Sequence, residues 1–144
     1  MNLDLEIALR LLLAAFLGAV IGFQREMSGK EAGLRTNMLI CVGSALFTVI
    51  SIYGFSGSDP ARIAASIATG IGFIGAGVIL HQTGGPVLGL TTAATIWAVA
   101  GIGMAAGAGL YIVSGVATAL SLFILLLPHI YRKNKRKDTD GEKK

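Results

Sequence analysis

Most of this chain has no charge. From Ile63 to Tyr131, 69 consecutive residues contain no Asp, Glu, Lys or Arg. Water-facing positions normally carry charge, so a soluble surface cannot be built from such a stretch, and the bilayer is the solvent that tolerates it. The whole chain agrees. Charged residues make up 14%, against about 25% in a soluble domain, and the mean hydropathy is +0.72.

Other scarcities exclude other classes. The one cysteine, Cys41, allows no intrachain disulfide and no cysteine-based metal site, and it reads as a small packed hydrophobe. His81 and His129 are the only histidines, and neither has an acid nearby in sequence. No catalytic constellation, metal site or cofactor site is expected. Gly70-Ile71-Gly72-Phe73-Ile74-Gly75 has dinucleotide-fingerprint spacing, but the next acid is Asp138 and no strand precedes it. The ribose partner that the fingerprint needs is therefore missing. Seven of the 12 basic residues lie from Arg132 onward. With no aromatic after Tyr131 to stack a base, nucleic-acid binding is not expected. The first charges are Asp4 and Glu6, whereas a secretory signal begins with positive charge, so the first apolar segment should remain as a membrane span.

What is present is apolar sequence with 20 glycines and 3 prolines. That combination points to helices packed closely through small residues. Five spans are predicted, at about 7–23, 36–52, 59–80, 88–106 and 110–130. A single 69-residue helix would reach roughly 100 Å, against a hydrocarbon core of about 30 Å, so the charge-free stretch must fold into three spans. Breaks are expected at His81–Pro86 and at Ala106–Gly109, the second closing a tight antiparallel hairpin. Arg10, near one end of the first span, is expected to snorkel to the interface. The expected fold is an all-α membrane protein, a bundle of five transmembrane helices over residues 1–131. A basic, disordered cytoplasmic tail is expected over 132–144. Arg25, Lys30 and Arg35 in the first connection, and the basic tail, should lie on the cytoplasmic side, which puts the N-terminus outside.

Several motifs carry candidate sites. Gly18 and Gly22, Gly103 and Gly107, and Gly70, Gly72, Gly75 and Gly77 place small residues where helices can approach. In the third span such a run also reads as local unwinding, with close packing favoured over a ligand site. Asp59 and Pro60 form a helix start, and Asp59 could pair with Arg62 at the membrane edge. Thr91 and Thr95 lie one turn apart and are expected to act as helix glue with Thr92 beside them. Trp97 is expected to fill a gap against small residues. The connection from Gly22 to Thr36 holds both signs of charge, including Glu26 and Glu31, which membrane retention does not need. It reads as a salt-bridged structure, with a solvated loop and a binding surface both open as its role.

Arg25-Glu26, Gly29-Lys30, Ala32-Gly33-Leu34-Arg35-Thr36, Asp59-Pro60-Ala61-Arg62-Ile63-Ala64, the Gly70–Gly77 run and Gly89-Leu90-Thr91-Thr92-Ala93-Ala94 together resemble the MgtC/SapB family over residues 5–125. The resemblance implies a multi-pass protein of a prokaryotic cytoplasmic (inner) membrane. It also implies a link to magnesium limitation and, in some pathogens, to survival inside macrophages, with a regulatory rather than a magnesium-transporting role in the MgtC branch. The family's signature residues fall on Arg25, Glu26, Lys30, Arg35, Asp59, Arg62, Gly70 to Gly77, Thr91 and Thr92. Many members carry a soluble C-terminal domain, where this chain has its basic tail. The expected function is non-enzymatic: binding of lipid or a membrane-protein partner, as a homo-oligomer, with a dimer the commonest form. The alternative is a small oligomeric transporter or channel for an ion or small solute.

Overall fold

The computed structural model describes residues 2–55, 57, 59–80 and 88–127. Five helices follow one another: α1 (Leu3–Met27), α2 (Leu34–Tyr53), α3 (Pro60–Leu80), α4 (Leu90–Gly107) and α5 (Tyr111–Leu126). The first four are long and apolar enough to cross a membrane, and α5 is a shorter apolar helix. The all-helical, five-helix reading of the sequence therefore holds. The break expected at His81–Pro86 and the basic tail lie outside the described residues.

Helix ends follow local chemistry. α1 runs past Phe23 to Met27 and closes on Gly29 in the left-handed region (φ 65°). There the Lys30 N–H donates to Arg25 C=O at 3.1 Å and the Gly29 N–H to Glu26 C=O at 3.0 Å. This paired closure satisfies carbonyls that the helix leaves free, and glycine alone enters it without steric cost. α4 ends the same way: Leu110 N–H donates to Ala105 C=O at 2.8 Å and Gly109 N–H to Ala106 C=O at 3.0 Å. That closure makes the tight α4–α5 hairpin. α3 begins as expected, with the Asp59 carboxylate accepting from the Ala61 N–H at 2.9 Å. α5 stops at Leu126, short of the expected Ile130, because Leu127 (φ −58°, ψ 131°) precedes Pro128 and is pushed out of the helical region.

The centre is built on backbone approach. A Cβ on Gly103 would overlap the Cys41 carbonyl, and one on Gly107 would sit 2.5 Å from the Ala45 carbonyl oxygen. Four-residue steps match on both helices, so α2 and α4 run parallel in close contact. α1 lies antiparallel to α2, with Gly18 over Asn37 to Cys41 and Gly22 over Gly33 and Leu34. Ala14, Leu17, Ile21, Cys41, Ala45, Val99, Ile102 and Ala106 fill the space between these helices. Ile67 and Ile71 pack α3 on Ile96 and Ala100 of α4. Large apolar side chains such as Phe16, Leu39, Phe73 and Ile112 face outward, as a lipid solvent permits.

Three sequence expectations fail here. α3 is a continuous helix, and of its glycines only Gly75 meets a neighbour, Ala93 at 3.6 Å. Gly70, Gly72 and Gly77 are exposed, with open space where a Cβ would stand. The buried stripe of α3 is Ile67, Ile71 and Gly75, and the other three glycines fall off that stripe. Trp97 is 60% exposed rather than gap-filling, because the backbone of α2 already occupies the hollows that the small residues of α4 leave. Arg10 does not snorkel outward: it is 7% exposed. Its Nη1 donates to Gly107 C=O at 3.0 Å, its Nε to the Tyr111 hydroxyl at 3.2 Å, and its Nη2 pairs with Glu6. The guanidinium also lies 5.6 Å from the Tyr53 ring centroid and 6.0 Å from that of Tyr111. One side chain thus joins α1, the end of α2, the end of α4 and the start of α5. It also sits at a helix C-terminus, where positive charge is favoured.

Three outcomes test this packing by thermal unfolding in detergent. Gly103→Ala should destabilise by about 1–3 kcal/mol, since neither backbone can yield cheaply. Gly72→Ala should be neutral or stabilise by up to about 1 kcal/mol, since it adds helix propensity in open space. Arg10→Ala should cost about 1–3 kcal/mol, because it leaves the Gly107 carbonyl without its donor and removes the link between four helix ends.

Candidate functional site

The sequence-predicted residues separate into two groups at opposite ends of the bundle. Arg25, Glu26, Lys30, Arg35, Thr91 and Thr92 gather where α1 ends and α2 and α4 begin. Asp59 and Arg62 stand at the start of α3, whose 21 residues span about 30 Å at 1.5 Å per residue. The Asp59 carboxylate is used in its cap. Asp59 meets Arg62 through the backbone, Arg62 N–H donating to Asp59 C=O at 3.1 Å. Both side chains are exposed.

The first group is ordered by the short connection between α1 and α2. The Glu26 carboxylate accepts from the Leu34 N–H at 2.8 Å. A Cβ on Gly33 would stand 2.8 Å from that same oxygen, so glycine here lets the carboxylate close onto the helix. An acid over an N-terminal turn is also favoured by the helix dipole. Glu26 is thus explained as a cap for α2 rather than as part of the salt-bridged loop that its charge pattern suggests. Lys30 and Arg35 are exposed on the outer side of this connection.

Arg25 turns the other way. It lies in the last turn of α1, is only 3% exposed, and donates from Nη2 to the Thr92 hydroxyl at 2.5 Å. Its Nε is buried and has no hydrogen-bond partner among the described residues. Thr92 is in the first turn of α4, after Gly89 in the left-handed region (φ 87°), and Gly89 has no side chain to cap the helix. Thr91, on the same turn, is exposed. The expected glue between Thr91 and Thr95 is internal to α4: the Thr95 hydroxyl donates to Thr91 C=O at 2.7 Å. The hydroxyl that ties two helices together is the one on Thr92.

Sequence reasoning passed over Asn37. It is fully buried in the first turns of α2, and its Nδ2 donates to Ala32 C=O at 2.7 Å and Gly33 C=O at 2.8 Å. It thereby holds the loop carbonyls that precede its own helix. The signal was available, since a lone Asn in an apolar span is costly unless partnered. Glu6 was also missed as a partner of Arg10, although its i, i+4 spacing pointed to it; Tyr53 and Tyr111 were missed too, and no local pattern points to them. Among the described residues no group of three or more His, Cys, Asp or Glu stands together, so no metal-ligand set can be named there.

Comparison with known proteins places this arrangement. The MgtC family model matches residues 11–133. The chain is 48% identical over 132 residues to "Putative magnesium transporter YhiD" of Escherichia coli K12, covering 86% of this chain and 61% of that protein. It is 44% identical over 143 residues to protein SapB of Bacillus subtilis 168, covering 91% and 60%. It is 47% identical over 111 residues to protein MgtC of Brucella abortus strain 2308, covering 77% and 46%. The chain thus spans about three fifths or less of the length of these curated relatives. No solved structure matches. With the family model covering most of its length and relatives this similar, the chain belongs to the MgtC family.

Proposed function

We propose that this chain is a non-enzymatic, multi-pass protein of the cytoplasmic (inner) membrane that serves adaptation to magnesium limitation by binding a partner protein or lipid. The binding face is the α1–α2 connection. The observation that carries this reading is how that connection is built. Gly29 and the Glu26 cap fix its backbone, and Asn37 holds its carbonyls. Lys30 and Arg35 are then presented outward from a rigid base. A loop that served only to keep positive charge inside would need none of this construction. The printed name of the YhiD relative, "Putative magnesium transporter", supplies the magnesium link. The positive-inside pattern supports a cytoplasmic position for this face and for the tail, with the N-terminus outside. A regulatory role and dimeric assembly belong to the same proposal.

A second reading, a transporter assembled from several copies, has one observation in its favour. The centre of the single chain is filled by the α1, α2 and α4 side chains, while Gly70, Gly72 and Gly77 leave an open face on α3. A solute path would therefore run between copies along α3.

The double variant Lys30→Ala/Arg35→Ala should insert normally yet fail to support growth at low magnesium. Unchanged growth would count decisively against the binding face. Flux into liposomes that Gly72→Leu abolishes would instead establish the transport reading, and no flux over a panel of cations and anions would remove it.

A further inference from the structure

The two buried arginines of α1 lie against the two ends of α4. Arg10 meets Gly107 and Arg25 meets Thr92, fifteen residues apart on both helices, as antiparallel packing requires. Their electrostatics are opposite. Arg10 sits at the carbonyl end, where the helix dipole welcomes a cation, and Glu6 neutralises it. Arg25 sits at the amide end, where the dipole repels a cation, and among the described residues no carboxylate pairs with it. The intervening residues 81–87 contain no acid. The first backbone N–H that α4 uses internally is that of Ala93, donated to Gly89 C=O at 2.8 Å. The N–H groups of Leu90, Thr91 and Thr92 precede it and have no acceptor within the helix.

A buried guanidinium with an unpartnered Nε is held against a helix N-terminus that has no side-chain cap, and among the described residues the Thr92 hydroxyl is the guanidinium's one acceptor. Burying an unpaired charge is among the costliest arrangements in a protein interior. Two positive elements facing each other raise that cost, and an anion between them removes it. Helix N-termini bind phosphate and carboxylate for this reason, and arginine adds a planar set of N–H donors.

We propose that Arg25 and the first turn of α4 together form an anion site for a phosphate group. The group is held by the Arg25 guanidinium and the N–H groups of residues 90–92, with Thr92 fixing the guanidinium in place. Its source is either the headgroup of an anionic phospholipid entering from the bilayer or a free phosphate from the aqueous side. Gly89 belongs to the site: its left-handed backbone turns the chain into α4 without a capping side chain that would compete for the N–H groups. This deepens the binding reading above by naming a ligand class, but it uses the inward-facing Arg25 rather than the outward-facing Lys30 and Arg35.

The test uses purified full-length chain. Binding is measured by calorimetry with inorganic phosphate in detergent, and by thermal stabilisation in nanodiscs of phosphatidylcholine alone or with phosphatidylglycerol. Saturable phosphate binding, weakened at least about tenfold in Arg25→Gln, as loss of a charged hydrogen bond implies, supports a site for free phosphate. Stabilisation by phosphatidylglycerol alone, lost in Arg25→Gln, supports a headgroup site. No response to either probe overturns the proposal, as does a response undiminished in Arg25→Gln. Should Arg25→Gln not fold, Thr92→Val decides: it keeps the volume but frees the guanidinium, and undiminished binding there overturns the proposal. Lys30→Ala/Arg35→Ala should bind phosphate or lipid as wild type does. Loss of the growth phenotype in that variant with no anion response in the wild type would leave the binding face standing and remove the anion site alone.

Discussion

The close approach of α2 and α4 is the constraint on which the rest of the bundle depends. At Gly103 and Gly107 the two backbones come so near that no side chain fits between them. A bilayer gives helices no hydrophobic reason to associate, so contact of this kind, rich in dispersion, is what holds them together. It also dictates where everything else goes. Small residues are consumed at the centre, and bulky ones such as Trp97 and Phe73 are left to lipid. Several hydroxyls find acceptors within their own helices: Thr48 on Ser44 C=O, Thr95 on Thr91 C=O and Thr118 on Ser114 C=O. Such bonds satisfy the hydroxyl without demanding space between helices.

Set against this apolar centre, α1 carries a charged group into each end of the bundle. The contrast between them separates structure from function. Arg10 has a carboxylate, a carbonyl, a hydroxyl and two aromatic rings around it, and every one of these contacts agrees with its position at a helix C-terminus. It is a fastener. Arg25 is as deeply buried, has one hydroxyl, and faces the wrong end of a dipole. That imbalance is the basis of the anion site proposed at Arg25.

The division between what the residues announce and what they conceal follows the range of the interactions. Helix number, the break at Ala106–Gly109 and the Asp59 cap depend on near neighbours and were legible; the Gly29 closure is as local but was not read, and the first span was expected to end near Phe23. Gly18, Gly22, Gly103 and Gly107 were legible as packing sites because four-residue spacing defines one helix face. The same spacing misled at Gly70, Gly72 and Gly77: a stripe of small residues shows that a helix can be approached, not that a neighbour approaches it. The residues of the MgtC motifs were recognisable as a set. Their separation into one cluster around Arg25 and another around Asp59 followed from the alternation of spans; the contact of Arg25 with Thr92 was not legible, because it depends on which helices pack together.

The sequence alone therefore determined the solvent, the helix count and the class, because charge depletion, span length and turn chemistry are properties of contiguous residues. Only the tertiary structure decided that Arg10 is buried, that Glu26 caps α2 and that Trp97 faces outward. It also decided that the two arginines of α1 meet opposite ends of α4. The arginine contacts join residues 67 to 101 positions apart, the Glu26 cap closes over a connection eight residues long, and the place of Trp97 depends on which face of α4 its neighbours cover. A stretch of sequence with no charge in it cannot indicate which distant charge its helix ends will have to accommodate.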